Sequence, residues 1–279
     1  MKFSLILCTI NRTKEIEKFL NSLIIQTYKN FEVLIVDQNS DYRVTNIIKN
    51  FQNLNIKYFR SEIGLSKARN KALENCVGKI VCFPDDDCFY PPNLLENINF
   101  FFENNMYDIL MGKTIDENTG KIVAGKDIEK KQELTTYFTL GSSTTLFIKN
   151  IDINRFDENF GLGAKYNSEE ENDLVFRLLK NNYKGFYNPE INFVYHPPSD
   201  LDYYDIKRVK NRSIGLGAFI AKHLFSFEGL FYFFKFNIFR PLLGSILFFI
   251  KLEHVKSKFY FFKWLGIWKG FFKYFEIEK

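Results

Sequence analysis

Lys79-Ile80-Val81-Cys82-Phe83-Pro84-Asp85-Asp86-Asp87 is the stretch on which the reading of this chain turns. A short apolar run, stopped by a proline and three carboxylates, has the length and flanks of a strand buried on both faces and ended at a turn. Three adjacent carboxylates repel one another, so clustering them costs free energy unless a cation answers. Hard divalent cations prefer such oxygen ligands. A solvated acidic turn is the plainer alternative.

Upstream, two periodicities alternate. Phe3 to Cys8 reads as a buried strand, and Ile16, Phe19, Leu20, Leu23 and Ile24 recur at helical spacing. Phe31 to Val36 is a second strand, ended by Asp37 to Asp41. Val44 to Phe51 is a helix, Ile56 to Phe59 a strand, Gly64 to Cys76 a helix and Lys79 to Phe83 a strand. Pro91-Pro92 is expected in the first turn of a helix reaching Phe102. Strand and helix in alternation with short loops predict parallel βαβ units. Ligands of such sheets gather at the carboxyl ends of the strands, where Thr9 and Asn11, Asp37 to Asp41 and Asp85 to Asp87 should converge. The loop after the first strand has no glycine, and no GxxxxGK(S/T) occurs, so neither a dinucleotide fingerprint nor a P-loop is present. Further on, Ile109 to Lys113 and Thr144 to Ile148 read as strands with a turn at Asp116 to Gly120 between them. Glu170 to Leu179 reads as a helix, and Ile191 to Tyr195 as a strand ending in His196-Pro197-Pro198.

These motifs resemble, in order, those of the inverting glycosyltransferases of family 2. Ser4-Leu5-Ile6-Leu7-Cys8-Thr9-Ile10-Asn11-Arg12 is similar to the opening strand and its T-x-N-R loop. Val33 to Asp41 resembles the second-strand motif, and Gly64-Leu65-Ser66-Lys67-Ala68-Arg69-Asn70 the helix ahead of the metal motif. Phe83 to Asp87 resembles the D-x-D motif, and Glu169-Glu170-Glu171-Asn172-Asp173-Leu174 the acidic helix start that supplies the catalytic base. The resemblance covers about residues 3–200. It implies a GT-A fold, that is, a Rossmann-like α/β domain with a mostly parallel mixed sheet flanked by helices. It further implies a nucleotide-sugar donor, a glycan or lipid-linked acceptor, and work in bacterial surface-polysaccharide synthesis.

Site roles carried over with the resemblance are these. Thr9, Asn11, Arg12, Asp37, Gln38, Gly64, Arg69, Asn70, Asp85 and Asp86 would bind the donor. Asp85 and Asp87, with His196 as a third ligand, would hold Mn2+ or Mg2+. Glu171 aligns with the base and Glu170 is its neighbour; the family usually has Asp where Glu171 stands. Asp173 reads as structural. Gln38 stands where many relatives have Asp, so the nucleotide base is left open. A non-catalytic nucleotide-sugar-binding scaffold and a nucleotidyltransferase are the rival classes.

Composition sets the limits. The 279 residues are 46% hydrophobic and 25% charged, which excludes a disordered or collagen-like chain. Aromatics are concentrated: 21 of the 50 lie between Phe219 and Phe275. Residues 201–279 carry a net charge of +8, against −3 for the first 200. A basic, aromatic segment suits an anionic membrane surface better than a nucleic acid, because the crevice itself is acidic. Gly229 to Ile250 is almost a membrane span but contains Lys235 and Arg240, so an in-plane amphipathic helix is expected, packing on protein being the alternative. The expected division is therefore a catalytic domain over 1–200 (donor binding about 1–113, acceptor and base about 114–200) and a helical tail over 201–279. The oligomeric state is open. Met1-Lys2-Phe3 runs straight into a strand, so no leader is expected. Four cysteines without a CxxC pair indicate neither zinc nor a redox motif and suit a cytoplasmic protein on the inner membrane face. His223 and His254 read as ordinary surface or interfacial residues.

Overall fold

The computed structural model describes residues 1–124, 128–137, 142–150, 155–197 and 204–277. They fall into two compact units, Met1–Phe156 with Leu174–Pro198, and Asp157–Asp173 with Ser199–Lys279. The boundary expected near 200 lies outside the described residues.

In the first unit the chain runs β1 (Phe3–Thr9), α1 (Lys14–Ile24), β2 (Phe31–Asp37), α2 (Arg43–Ile48), β3 (Ile56–Arg60), α3 (Leu65–Leu73), β4 (Ile80–Cys82) and α4 (Leu94–Asn104). There follow β5 (Ile109–Met111), β6 (Lys113–Asp116), β7 (Ile122–Ala124), β8 (Gln132–Glu133) and β9 (Phe147–Lys149). Helix α5 (Glu170–Lys180), β10 (Gly185–Tyr187) and β11 (Phe193–His196) complete it, the first residues of α5 belonging to the second unit. Among the described residues the main sheet has the order β3-β2-β1-β4-β9-β5-β10-β8, and a small sheet the order β11-β6-β7. Strands β3, β2, β1 and β4 are mutually parallel, and β9 is antiparallel to both its neighbours. This is the expected mostly parallel α/β architecture.

Every residue of β1 and β2 is buried. Side chains alternate across a strand, so Leu5 and Leu7 enter one core with Ile16, Phe19 and Leu20. Ile6 and Cys8 enter a second core with Ala68, Ala72 and Leu174 on the other face. Two covered faces explain the unbroken apolar runs in the sequence. Full burial of each such aliphatic side chain is worth about 1.5–3 kcal/mol. One charge sits inside this layer. Glu32 is buried opposite Ser4, whose hydroxyl donates to it at 2.6 Å, and the Lys57 ammonium lies 2.9 Å away.

Two local differences from the sequence reading have physical causes. Pro91 and Pro92 precede α4 rather than opening it, because their carbonyls accept from Gln26 Nε2 and the Thr27 amide, each at 2.8 Å. The strand expected from Ile109 to Lys113 breaks at Gly112, where the chain leaves the main sheet for the small one. A Cβ at Gly112 would run into the Asn192 carbonyl oxygen, which accepts from the Lys113 amide at 3.0 Å. Gly112→Ala should therefore cost about 1–3 kcal/mol. Urea unfolding measures it; a wild-type midpoint would show that the crossing yields freely.

The second unit is helical: α6 (Ile206–Lys222), α7 (Phe227–Tyr232), a π-helical segment Phe233–Phe239, α8 (Arg240–Ile250) and α9 (His254–Ile277). Phe227–Ile250 is one continuous helical run, long and apolar enough to cross a membrane by length and composition. Phe227, Phe231, Phe234, Phe239, Leu243 and Ile246 along it are exposed.

Candidate active site

The acidic loop follows β4 at the carboxyl edge of the parallel strands. Thr9, at the end of β1, donates its hydroxyl to Asp86 at 2.7 Å. Arg12 pairs with Asp87 at 2.8 Å and lies 3.8 Å from Asp86. Arg69, on α3 and almost fully buried, lies 3.7 Å from Asp85. His196 Nε2 stands 3.1 Å from Asp87 Oδ1, and its Nδ1 lies 2.7 Å from the Pro197 carbonyl. What brings His196 there is a two-bond bridge between Phe89 and Tyr195, with amide–carbonyl distances of 3.0 and 3.1 Å and the rings stacked at 5.0 Å. That bridge joins the acidic loop to β11, a link no local pattern announces.

Electrostatics follow from this packing. Burial pushes the Asp86 carboxyl up to about 6, against the Thr9 hydrogen bond and the Arg12 charge. Burial also raises Asp87, but the His196 hydrogen bond, the His196 charge and Arg12 together hold it below the ordinary carboxylate range. The Asp87 bond in turn raises His196 against its own burial. One ligand atom each from Asp85, Asp87 and His196 lies within 4.8 Å of the others. Two carboxylates and an imidazole converging on so small a volume suit a divalent cation, and the imidazole favours Mn2+ over Mg2+.

Three loops beside this cluster are stitched together. Asp37 is fully buried; its Oδ1 accepts from the Asn39 amide and Nδ2 at 2.8 and 2.7 Å, and its Oδ2 from the Tyr58 hydroxyl at 2.8 Å. The Asn39 side chain accepts from the Asn11 amide at 2.7 Å. The Gln38 side-chain oxygen accepts from the Gly64 amide at 2.8 Å. Gly64 has φ +145°, a conformation open to glycine and costly for other residues. Asn70 clamps the backbone of Phe156 from both sides, at 2.9 Å each. The Arg69 guanidinium lies over the rings of Phe83 and Phe156, at 5.6 and 5.2 Å from their centroids. Asn39, within the expected Asp37 to Asp41 loop, and Tyr58, which no motif singles out, therefore support this crevice. The buried Cys8 thiol, pushed up to about 12, is no nucleophile.

The acidic helix start belongs to the second unit. Glu169 is held at φ +71° and Asn167 at +58°, unusual for residues other than glycine. The Glu169 carbonyl accepts from the Asp173 amide at 2.8 Å, which opens α5. Glu170 is buried and Glu171 partly exposed. Asp173 is fully buried and pairs with Lys222 at 2.8 Å and His223 at 2.9 Å; Lys222 also reaches Asp157 at 2.7 Å. His223 is thus a partner of a buried carboxylate, not an ordinary surface residue. It and Lys222 end α6 just after the buried run Ala218 to Ala221, the one local signal that both are held inward. Lys222→Ala leaves two carboxylates short of a cation and should cost about 3 kcal/mol. Denaturant unfolding tests this, and a loss below about 1 kcal/mol, typical of an exposed pair, would contradict it.

The family described as Glycosyl transferase family 2 matches residues 4–160. Poly(ribitol-phosphate) beta-N-acetylglucosaminyltransferase TarS of Staphylococcus aureus is 35% identical over 119 residues, 40% of this chain and 21% of that protein. The GalNAc(5)-diNAcBac-PP-undecaprenol beta-1,3-glucosyltransferase of Campylobacter jejuni is 29% identical over 173 residues, 57% of this chain and 56% of that one. The chain thus spans little more than half, or much less, of these relatives. Among solved structures, S. aureus TarS 1-349 in complex with UDP aligns with a TM-score of 0.61 at 23% identity, over 93% of this chain and 80% of that one. Mannosyltransferase PcManGT from Pyrobaculum calidifontis, in complex with GDP-Man and Mn2+, gives 0.66 at 14% identity, over 100% and 88%. These likenesses establish the GT-A fold. With more than half of its length matched, the chain belongs to glycosyl transferase family 2.

Proposed function

We propose that this chain is a metal-dependent inverting glycosyltransferase that moves a sugar from a nucleotide-sugar donor to a hydroxyl of a glycan or lipid-linked acceptor. The observation that carries the reading is the convergence of Asp85, Asp87 and His196 at the carboxyl edge of the sheet in a family 2 chain. Thr9, Asn11, Arg12, Asp37, Gln38 and Gly64 build the nucleoside side, with Asp86 and Asn70 fixing its walls. Arg69 faces the donor diphosphate beside Asp85. Mn2+ or Mg2+, held by Asp85, Asp87 and His196, would act as a Lewis acid that stabilises the departing nucleoside diphosphate. Glu171 takes the proton of the acceptor hydroxyl as its oxygen bonds to the anomeric carbon. The bond from that carbon to the diphosphate breaks on the opposite face, which inverts the configuration.

The relatives named above and a UDP-Glc:alpha-D-GlcNAc-diphosphoundecaprenol glucosyltransferase of Escherichia coli support an acceptor of the surface-polysaccharide kind. The exposed apolar run Phe227–Ile250 and the net charge of +8 over 201–279 support docking of this tail on the inner face of the membrane. A panel of UDP-glucose, UDP-GlcNAc and GDP-mannose with Mn2+, read by release of nucleoside diphosphate, tests the reading. Release from one of them, lost with a chelator, is expected. No release from any donor with either Mn2+ or Mg2+ would overturn it.

A further inference from the structure

Two of the side chains proposed to hold the metal are each tied at one atom by an outer neighbour. Asp87 divides its oxygens. Oδ1 stands 3.1 Å from His196 Nε2, and Oδ2 accepts from Arg12 Nη2 at 2.8 Å. His196 is held in the same way, with Nδ1 2.7 Å from the Pro197 carbonyl. A carbonyl oxygen only accepts, so Nδ1 carries a proton there, and Nε2 is the nitrogen left for a cation. The carboxylate oxygen and the ring nitrogen that face each other are therefore the two atoms that Arg12 and Pro197 leave over.

Arg12 is itself anchored. It follows Asn11, whose backbone is left-handed at φ +59° and whose amide donates to the Asn39 side chain at 2.7 Å. Arg12 Nη1 lies 3.3 Å from Glu15 Oε1 in the first turn of α1, and Glu15 Oε2 accepts from the Thr13 amide at 3.3 Å. Arg12 Nε lies 3.8 Å from Asp86 Oδ1, while the Thr9 hydroxyl holds Asp86 Oδ2 at 2.7 Å. Each guanidinium nitrogen thus meets a different carboxylate, and the side chain ties the loop after β1 and the start of α1 to the acidic loop.

Such a residue can act on a bound cation in two opposite ways. By charge alone, a guanidinium beside a ligand carboxylate repels a divalent ion, and its removal should tighten binding. As an orienter it fixes which Asp87 oxygen turns toward His196, and its removal should loosen binding, because a free carboxylate must be ordered as the ion enters. Glu15 and Asp86 offset the guanidinium charge, which weakens the first effect, and Arg12 leaves Oδ1 uncovered, which favours the second.

We propose that Arg12 is a positioning residue of the metal centre, holding Asp87 Oδ2 so that Oδ1 is presented beside His196 Nε2. This rests on the reading of Asp85, Asp87 and His196 as metal ligands, and it is a task separate from contact with the donor.

The probe is Mn2+ alone, titrated calorimetrically into the full chain without nucleotide, so that no diphosphate contact enters the result. Arg12→Gln should bind about 10–100-fold more weakly than wild type, the usual loss when the outer partner of a ligand is removed. Arg12→Lys, which keeps a charged donor for Asp87 Oδ2, should fall between the two. Lys14→Gln removes the same charge from an exposed side chain two residues on and should bind as wild type does. Thermal unfolding checks that each variant is folded. Arg12→Met, which keeps the apolar stem, replaces Arg12→Gln should that variant fail the check. Tighter or unchanged Mn2+ binding without the guanidinium would overturn the proposal and leave the metal centre standing. So would Arg12→Lys binding no better than Arg12→Gln, or an equal loss in Lys14→Gln. Wild type that takes up no Mn2+ would instead refute the metal centre on which the proposal rests.

Discussion

Nucleoside diphosphate release by Asp87→Ala should fall by about 10²–10³-fold, the scale on which charge stabilisation at a leaving group is lost. Asp87 is the hinge of the acidic loop. One of its oxygens meets His196 at 3.1 Å and the other meets Arg12 at 2.8 Å. Alanine removes a candidate ligand and at the same time frees the imidazole and the guanidinium that it orients. Direct titration of Mn2+ into wild type and variant gives a readout independent of turnover. Weakened Mn2+ binding together with lost release supports the assignment of Asp85, Asp87 and His196. Release that survives both a chelator and the substitution would refute it. Unfolding midpoints separate this from a structural loss, since Asp87 keeps two side chains in place.

Glu171→Gln should lower transfer by about 10²–10⁴-fold while sparing donor binding, the range spanned by general acid–base catalysis. The amide keeps the shape of the carboxylate and cannot accept the acceptor's proton. Partly exposed on the first turn of α5, Glu171 can meet a substrate from solvent, whereas Glu170 is buried. Transfer to an acceptor, measured beside equilibrium binding of the donor, distinguishes the two. If Glu170→Gln abolishes transfer and Glu171→Gln does not, the base is the buried residue and the left-handed backbone at Glu169 serves to aim it inward.

The parallel half of the sheet was legible because burial on both faces writes itself as unbroken apolar runs, as in Phe3–Thr9 and Phe31–Asp37. Strands such as Gln132–Glu133 and Gly185–Tyr187 were not, because two or three residues carry no period and owe their conformation to the partner they pair with. Thr144 to Ile148, expected as one strand, is a 3₁₀ turn at Ser143–Thr145 followed by Phe147–Lys149. Hydroxyls there bond to one another and to Thr114, at 2.8 Å between Thr114 and Thr144. At the site, the acidic loop and His196 could be picked out by type and position. Tyr58 beneath Asp37, and Lys222 with His223 around Asp173, could not, since each acts across distances in sequence that no motif spans.

The π-helical segment Phe233–Phe239 has a further consequence, for the angular phase of the tail. In an unbroken α-helix each residue advances about 100°, so the pair Phe231 and Phe234 would point, on average, about a third of a turn away from the pair Leu243 and Ile246. A π turn carries an extra residue and retards that rotation by about the same angle. All four side chains are exposed, as a single outward stripe requires. The wider coil thus acts as a phase corrector, letting two apolar stretches of different register present one continuous flank.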